Sequence, residues 1–180
     1  LAEQALNTYE GRIVCHNSKY DMHVLQRNRA MQPRVWYEVD DTLLMAHVLR
    51  PTGAHGLKQL AKRLVDPHAD MAQGQLDTAM ERQGGTYATV PVDFPVYWAY
   101  GGLDAVYTAR LWEQFVPELQ ARGLTSVYHL DLCVQELLTR MEERGCLTDI
   151  PYAEEQYEIF TRWCTETARW VQDNYGVSPT

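Results

Sequence analysis

Two short polar motifs, far apart in the chain, constrain its fold more than any other feature. Asn17-Ser18-Lys19-Tyr20-Asp21 follows the apolar run Ile13-Val14-Cys15, and Tyr100-Gly101-Gly102-Leu103-Asp104 stands at a helix entrance. Each places a carboxylate four residues after a side chain that can hydrogen-bond. A carboxylate carried into an apolar setting costs free energy unless it meets a compensating partner. A divalent cation held between the two is an economical partner, because Mg²⁺ and Mn²⁺ take hard oxygen ligands and leave room for phosphate and water. The fold is then expected to bring residues 21 and 104 together, at a site suited to cleaving a phosphodiester.

The chain's 180 residues suffice for one full core and a small second subdomain. A formal net charge of −8 argues against gripping duplex DNA by general electrostatics. It leaves a nuclease site open, since such a site itself needs acidic ligands. Lys58, Lys62 and Arg63 share one predicted helix, and they read first as a solvated face and second as a phosphate-steering surface. Cys15, Cys133, Cys146 and Cys164 lack C-x-x-C spacing and are expected to be reduced thiols. The histidines show no H-E-x-x-H pattern, which argues against histidine-ligated zinc. No apolar run approaches a membrane span and no signal pattern opens the chain, so no membrane partner is expected and the location is read as cytoplasmic.

Local patterning supplies the frame for the motifs. Residues 1–9 read as a helix remnant broken at Gly11, and residues 12–16 as a short buried strand. Asn17 or Ser18 caps a helix expected to turn Tyr20, Val24 and Leu25 inward. Residues 35–38 suggest a second extended piece, after which Asp41-Thr42 caps a helix that Pro51 and Gly53 stop. Leu57, Leu60, Ala61 and Leu64 keep helical spacing, whereas residues 66–92 read as short helix and surface loop. A helical run holding Tyr97 and Tyr100 is expected to loosen at Gly101-Gly102, with a further helix over 103–119. Val127, Leu130, Val134, Leu137, Leu138 and Met141 form an apolar stripe on the next helix, which Gly145 ends. Pro151 starts a last long helix expected to turn Tyr157, Phe160, Cys164 and Val171 to one side. Trp98, Trp112, Trp163 and Trp170 read as core.

Taken together, these segments resemble family A DNA polymerases, the bacterial DNA polymerase I type. Residues 12–21 are similar to that family's second exonuclease motif, and Tyr100 with Asp104, followed by Ala105-Val106-Tyr107-Thr108, to its third, the Tyr-x-x-x-Asp of the DEDDy class. Asp41-Thr42-Leu43-Leu44 and Gly56-Leu57-Lys58-Gln59-Leu60-Ala61 resemble the segments between. Glu142-Glu143-Arg144-Gly145-Cys146-Leu147-Thr148-Asp149 resembles the start of a polymerase thumb. The resemblance implies an α/β fold: a partial ribonuclease H-like exonuclease domain over residues 1–123, followed by long thumb helices over 124–180. The family's first motif, Asp-x-Glu, has no counterpart before Asn17, which implies a segment of a longer polymerase lacking the first strand.

The function so implied is 3′→5′ proofreading by two-metal hydrolysis of the 3′-terminal phosphodiester, with Mg²⁺ or Mn²⁺ as cofactor. Its partners would be the single-stranded 3′ end of DNA and the remainder of the polymerase polypeptide, in a bacterial or phage-infected cell. Asp104 would help hold the metal that carries the attacking water, and Asp21 the metal at the leaving oxygen. Tyr100, whose unperturbed phenol titrates near pH ~10, would orient that water rather than deprotonate it. Asn17 would contact the terminal nucleotide or cap its own helix. Blander roles stand beside these: Asp21 and Asp104 as helix-start carboxylates, Tyr100 as a core aromatic, and Asp40 and Asp41 as caps. The alternatives at the level of function are a catalytically inactive exonuclease-like scaffold and an RNase D-like exoribonuclease.

Overall fold

The computed structural model describes residues 4, 7–27, 38–87, 89, 91 and 93–177. Compactness divides the chain into two units, Leu1–Met141 and Glu142–Thr180.

The first unit is built on two parallel strands, β1 (Ile13–Cys15) and β2 (Val39–Asp41), in the register Ile13–Val39, Val14–Asp40 and Cys15–Asp41. Each strand runs straight into a helix: β1 into α1 (Ser18–Arg27) and β2 into α2 (Thr42–Leu49). After these come α3 (Leu57–Leu64), α4 (Met71–Gln83), α5 (Pro95–Ala121) and α6 (Thr125–Arg144). The α/β class expected from the sequence is what the chain forms. At the head of β1, Gly11 lies beside the Tyr9 ring.

The main core joins Met45, Ala46 and Leu49 of α2 to Leu60 of α3, Leu111, Phe115 and Leu119 of α5, and Tyr128 and Leu132 of α6. Leu111, Phe115 and Leu119 recur every four residues and so form one face of α5. Each large side chain buried this way contributes about 1.5–3 kcal/mol, so α5 is the helix that organises the unit.

Several elements differ from expectation for identifiable reasons. Residues 35–37 lie outside the described residues; Glu38 is 3₁₀ and the strand begins at Val39. Helix α1 buries Met22 and half-buries Leu25, leaving Tyr20 and Val24 exposed, because Met22 packs on Val39 and Cys15 and so sets the helix phase. The segment after Asp66 contains a full 13-residue helix, α4, whose Ala72, Leu76 and Met80 are buried. Helix α5 runs unbroken for 27 residues through Gly101-Gly102. Both glycines are exposed with open space around them, so helical hydrogen bonding continues there without a side chain to pack.

On α6 the largest inversion appears. The apolar stripe of Val127, Leu130, Val134, Leu137, Leu138 and Met141 is exposed, and the helix instead buries Tyr128, Leu132, Gln135 and Thr139. Polar contacts to the two strand ends, described below, set this phase. Gly145 follows α6 in the left-handed region at φ 69°, as expected of a helix terminator.

In the second unit, α7 (Ile150–Tyr175) is started by Asp149, whose carboxylate accepts the Tyr152 N–H at 3.1 Å, with Pro151 in the first turn. Gly176 closes it at φ 65°. Tyr157, Phe160, Trp163 and Trp170 are exposed on this helix and Val171 is half-buried. Of the four tryptophans expected in a core, Trp112 alone is half-buried; Trp98, Trp163 and Trp170 are exposed. All four cysteines are free. Among the described residues, no helix is long and apolar enough to cross a membrane.

Candidate active site

The first motif occupies the β1–α1 junction, and its backbone is held by a residue outside it. Asp41, fully buried at the end of β2, accepts the Asn17 N–H at 3.0 Å on Oδ1 and the Ser18 N–H at 2.7 Å on Oδ2. The same carboxylate accepts the Ser18 hydroxyl at 2.8 Å, the Leu43 N–H at 2.8 Å and Gln135 Nε2 at 3.0 Å. One side chain therefore serves the otherwise unpaired N–H groups at the entrances of both α1 and α2. Gln135 Nε2 also donates to Ser18 Oγ at 2.6 Å, which ties α6 to the junction. Asn17 takes a left-handed φ of 72°, a conformation that asparagine tolerates better than most residues, and its carbonyl accepts the Tyr20 N–H at 3.0 Å.

Asp21 sits in the first turn of α1, half-buried, where the Cys15 thiol hydrogen-bonds it and Asp41 lies close by. Burial raises its pKa above the usual carboxylate value; the Cys15 contact opposes this and the Asp41 charge adds to it. The thiol in turn is pushed up by burial and by Asp21, which keeps it protonated.

Asp40, on the opposite face of β2, is no cap. Arg12 grips it with Nε at 2.9 Å and Nη2 at 3.2 Å, and Trp112 Nε1 and the Tyr128 hydroxyl donate to it, each at 2.9 Å. Burial pushes its carboxyl up, but the hydrogen bonds from Arg12, Trp112 and Tyr128 together outweigh burial and hold it below the usual range. The Tyr128 hydroxyl also accepts the Asp41 N–H at 2.9 Å, so Tyr128 and Gln135 dock α6 on both acidic residues of β2.

The second motif lies on α5, with Tyr100 one helical turn before Asp104. The Asp104 carboxylate is ion-paired with Lys58 of α3. The Lys58 ammonium also stands 4.5 Å from the centroid of the Tyr100 ring. Tyr100 is half-buried and 6.5 Å, centroid to centroid, from Tyr87. Burial, reinforced by the charge of Asp77, raises its phenol above the ordinary value, so Tyr100 is a hydrogen-bond donor at neutral pH and not a base. The structure thus brings Tyr100 and Asp104 together through Lys58, whereas the contacts of Asp21 run to Cys15 and Asp41. Helix α5, which carries the second motif, packs against both α3 and β1.

The oxygen donors of Asp21 and Asp104 suit a hard cation in type. Among the described residues, however, no group of three or more His, Cys, Asp or Glu side chains could hold a metal ion. The donor set described here therefore does not by itself fit Mg²⁺ or Mn²⁺.

Sequence reasoning misses the contact of Lys58 with Asp104 and Tyr100 and the double capping by Asp41. Lys58 looked like one of three cations on a solvated helix. The signal for Asp41 was present in part, since adjacent acids before a helix mark a cap, but its reach to Asn17 and Ser18 depends on the parallel pairing of β1 and β2.

Residues 3–120 match the model of the 3′-5′ exonuclease family, and the chain belongs to that family, which implies a ribonuclease H-like fold. It is similar to DNA polymerase I of Rhizobium leguminosarum, 35% identical across 76% of this chain and 13% of that protein. It is also similar to the DNA polymerase of Mycobacterium phage D29, 26% identical across 92% of this chain and 29% of that protein. The DNA polymerase of Escherichia phage T5 is 31% identical across 87% of this chain and 20% of that protein. The chain therefore spans less than a third of the length of these relatives.

Proposed function

We propose that this chain is the 3′→5′ exonuclease segment of a DNA polymerase I-like protein and trims the 3′ end of single-stranded DNA during proofreading. The observation that carries this reading is the pairing of Tyr100 and Asp104 on one face of α5, within a chain whose residues 3–120 match the exonuclease family. Residues 1–123 are assigned to the exonuclease and 124–180 to the start of a thumb. The bacterial and phage origin of the relatives supports a cytoplasmic location in a bacterial or phage-infected cell.

In this reading the Tyr100 phenol, kept protonated by burial, donates a hydrogen bond that orients the attacking water at the 3′-terminal phosphodiester. Asp104 offers acceptor oxygens one helical turn away, and Asp21 offers a second carboxylate at the β1–α1 junction. Asn17, at the same junction, would contact the terminal nucleotide. Asp21 and Asp104 are the ligands this chain would contribute to a divalent ion, which would need further carboxylates from a longer polypeptide. These relatives are all named DNA polymerases, which favours DNA over the RNA substrate of an RNase D-like enzyme.

The test uses a 5′-labelled single strand incubated with the longer polypeptide and Mg²⁺. Progressive shortening from the 3′ end is expected, with arrest at an internal phosphorothioate linkage. Internal cuts without 3′-end shortening, or no degradation, would contradict the proposal.

A further inference from the structure

The three side chains that hold Asp40 also share a cavity. Arg12, Trp112 and Tyr128 all line a space of about 280 Å³, on the face of β2 opposite the junction that Asp41 caps. Buried Met45 and Leu119, with half-buried Val116, complete its apolar lining. Gln120 and His129 also border the cavity and are exposed, so they mark its mouth. The volume falls just below the ~300–1,000 Å³ of sites for drug-sized ligands, which limits a guest to one or two rings.

The chemistry of the lining narrows the guest further. Trp112 engages its only donor with Asp40, and the Tyr128 hydroxyl bonds both Asp40 and the Asp41 N–H. Arg12 engages Nε and Nη2 with the same Asp40 carboxylate. These three side chains therefore offer a guest chiefly their flat faces, and one buried carboxylate holds all three in place before any guest arrives. Faces of Trp, Tyr and guanidinium favour a stacked planar ring. The Arg12 and Asp40 charges cancel, so an ionic guest finds no free counter-charge in that pair. At the mouth, the Gln120 amide can both donate and accept, which suits the polar edge of a heteroaromatic ring. We infer that this cavity is a binding site separate from the candidate active site and takes one uncharged nucleobase, stacked among Arg12, Trp112 and Tyr128. The choice of a nucleobase over other rings rests on the reading of the chain as a DNA exonuclease. The base can come from a free nucleoside or from a strand.

The experiment is saturation-transfer NMR on the 180-residue chain in EDTA, with adenosine as the probe. Adenosine is titrated to about 5 mM, enough to fill most of a site with a Kd of ~1 mM. Transfer to the adenine protons is expected, and none to ribose 5-phosphate, which lacks the ring. Val116→Phe fills the cavity without touching the Asp40 contacts and should weaken adenosine binding at least about tenfold, equivalent to about 1.4 kcal/mol. Val116→Met, a smaller intrusion, replaces it if circular dichroism shows the phenylalanine form to be unfolded. Tetradeoxyadenylate distinguishes the sources: tighter binding than adenosine, lost in the same variant, assigns the site to a base within a strand, and tighter binding of adenosine assigns it to a free nucleoside. No transfer to adenosine, equal transfer to ribose 5-phosphate, or unchanged affinity in a folded cavity-filled variant would overturn the proposal. Because no turnover enters the measurement, absence of nuclease activity in the longer polypeptide would count against the exonuclease reading and leave this result standing.

Discussion

Ser18 donates both its backbone N–H and its hydroxyl to a single oxygen of Asp41, at 2.7 and 2.8 Å, in a place that water does not reach. This contact crosses from the end of β2 to the start of α1 and fixes the turn of helix on which Asp21 stands. Asp21 is thus positioned through another carboxylate, Asp41, that is itself fully occupied.

Removal of Asp41 should therefore be costly. Asp41→Ala leaves the N–H groups of Asn17, Ser18 and Leu43 and the Gln135 amide without their acceptor, and the expected loss is about 3 kcal/mol or more. Urea unfolding measures it. A loss below about 1 kcal/mol would show that other acceptors replace the carboxylate.

Asp40 gives a pH dependence of definite sign. Its pKa is depressed in the folded chain, so its contribution to stability is complete above the unfolded value near ~3.9 and is lost as pH falls through the folded value. Arg12→Gln removes the strongest of the opposing hydrogen bonds and leaves burial to act. The urea midpoint of the parent should fall more between pH 5 and pH 3, roughly the window around that carboxylate value, than the midpoint of Arg12→Gln. Parallel curves would contradict the assignment.

The inverted phase of α6 predicts a contrast between two leucines five residues apart. Leu132→Ala, in the core, should cost about 2–5 kcal/mol, whereas Leu137→Ser, on the exposed stripe, should change stability by no more than about 0.5 kcal/mol. Equal losses would mean that the stripe is buried in solution.

Tyr100→Phe keeps the ring over which Lys58 sits and removes the phenol hydroxyl. Hydrolysis by the longer polypeptide should slow by on the order of tenfold to a hundredfold while Mn²⁺ binding is unchanged. A parent rate in this variant would reduce Tyr100 to a packing aromatic.

What the sequence disclosed follows from the range of the interactions involved. The strand at residues 13–15, the helix capped by Asp41 and the helix after Gly56 are governed by local chemistry, and each lies where patterning puts it. The inward faces of α1 and α6 were misread because tertiary contacts decide them: Met22 against Val39 in one case, Tyr128 and Gln135 against the strand-end acids in the other. Apolar periodicity alone points α6 the wrong way, since it cannot weigh buried hydrogen bonds to carboxylates against an apolar stripe. The continuity of α5 through Gly101-Gly102 escaped for a related reason, as the penalty of two glycines is spread over a helix anchored by Leu111, Phe115 and Leu119. The contact of Lys58 with Tyr100 and Asp104, by contrast, becomes visible only when α3 is laid against α5.

If Asp21 and Asp104 serve one exonuclease site, as proposed, release of the 3′-terminal nucleotide from single-stranded DNA by the longer polypeptide depends on both. Asp104→Ala and Asp21→Ala should each reduce that release by at least about a thousandfold, an effect on the scale of losing preorganised electrostatic stabilisation, while nucleotide incorporation continues. Release at the parent rate in either variant would contradict the account.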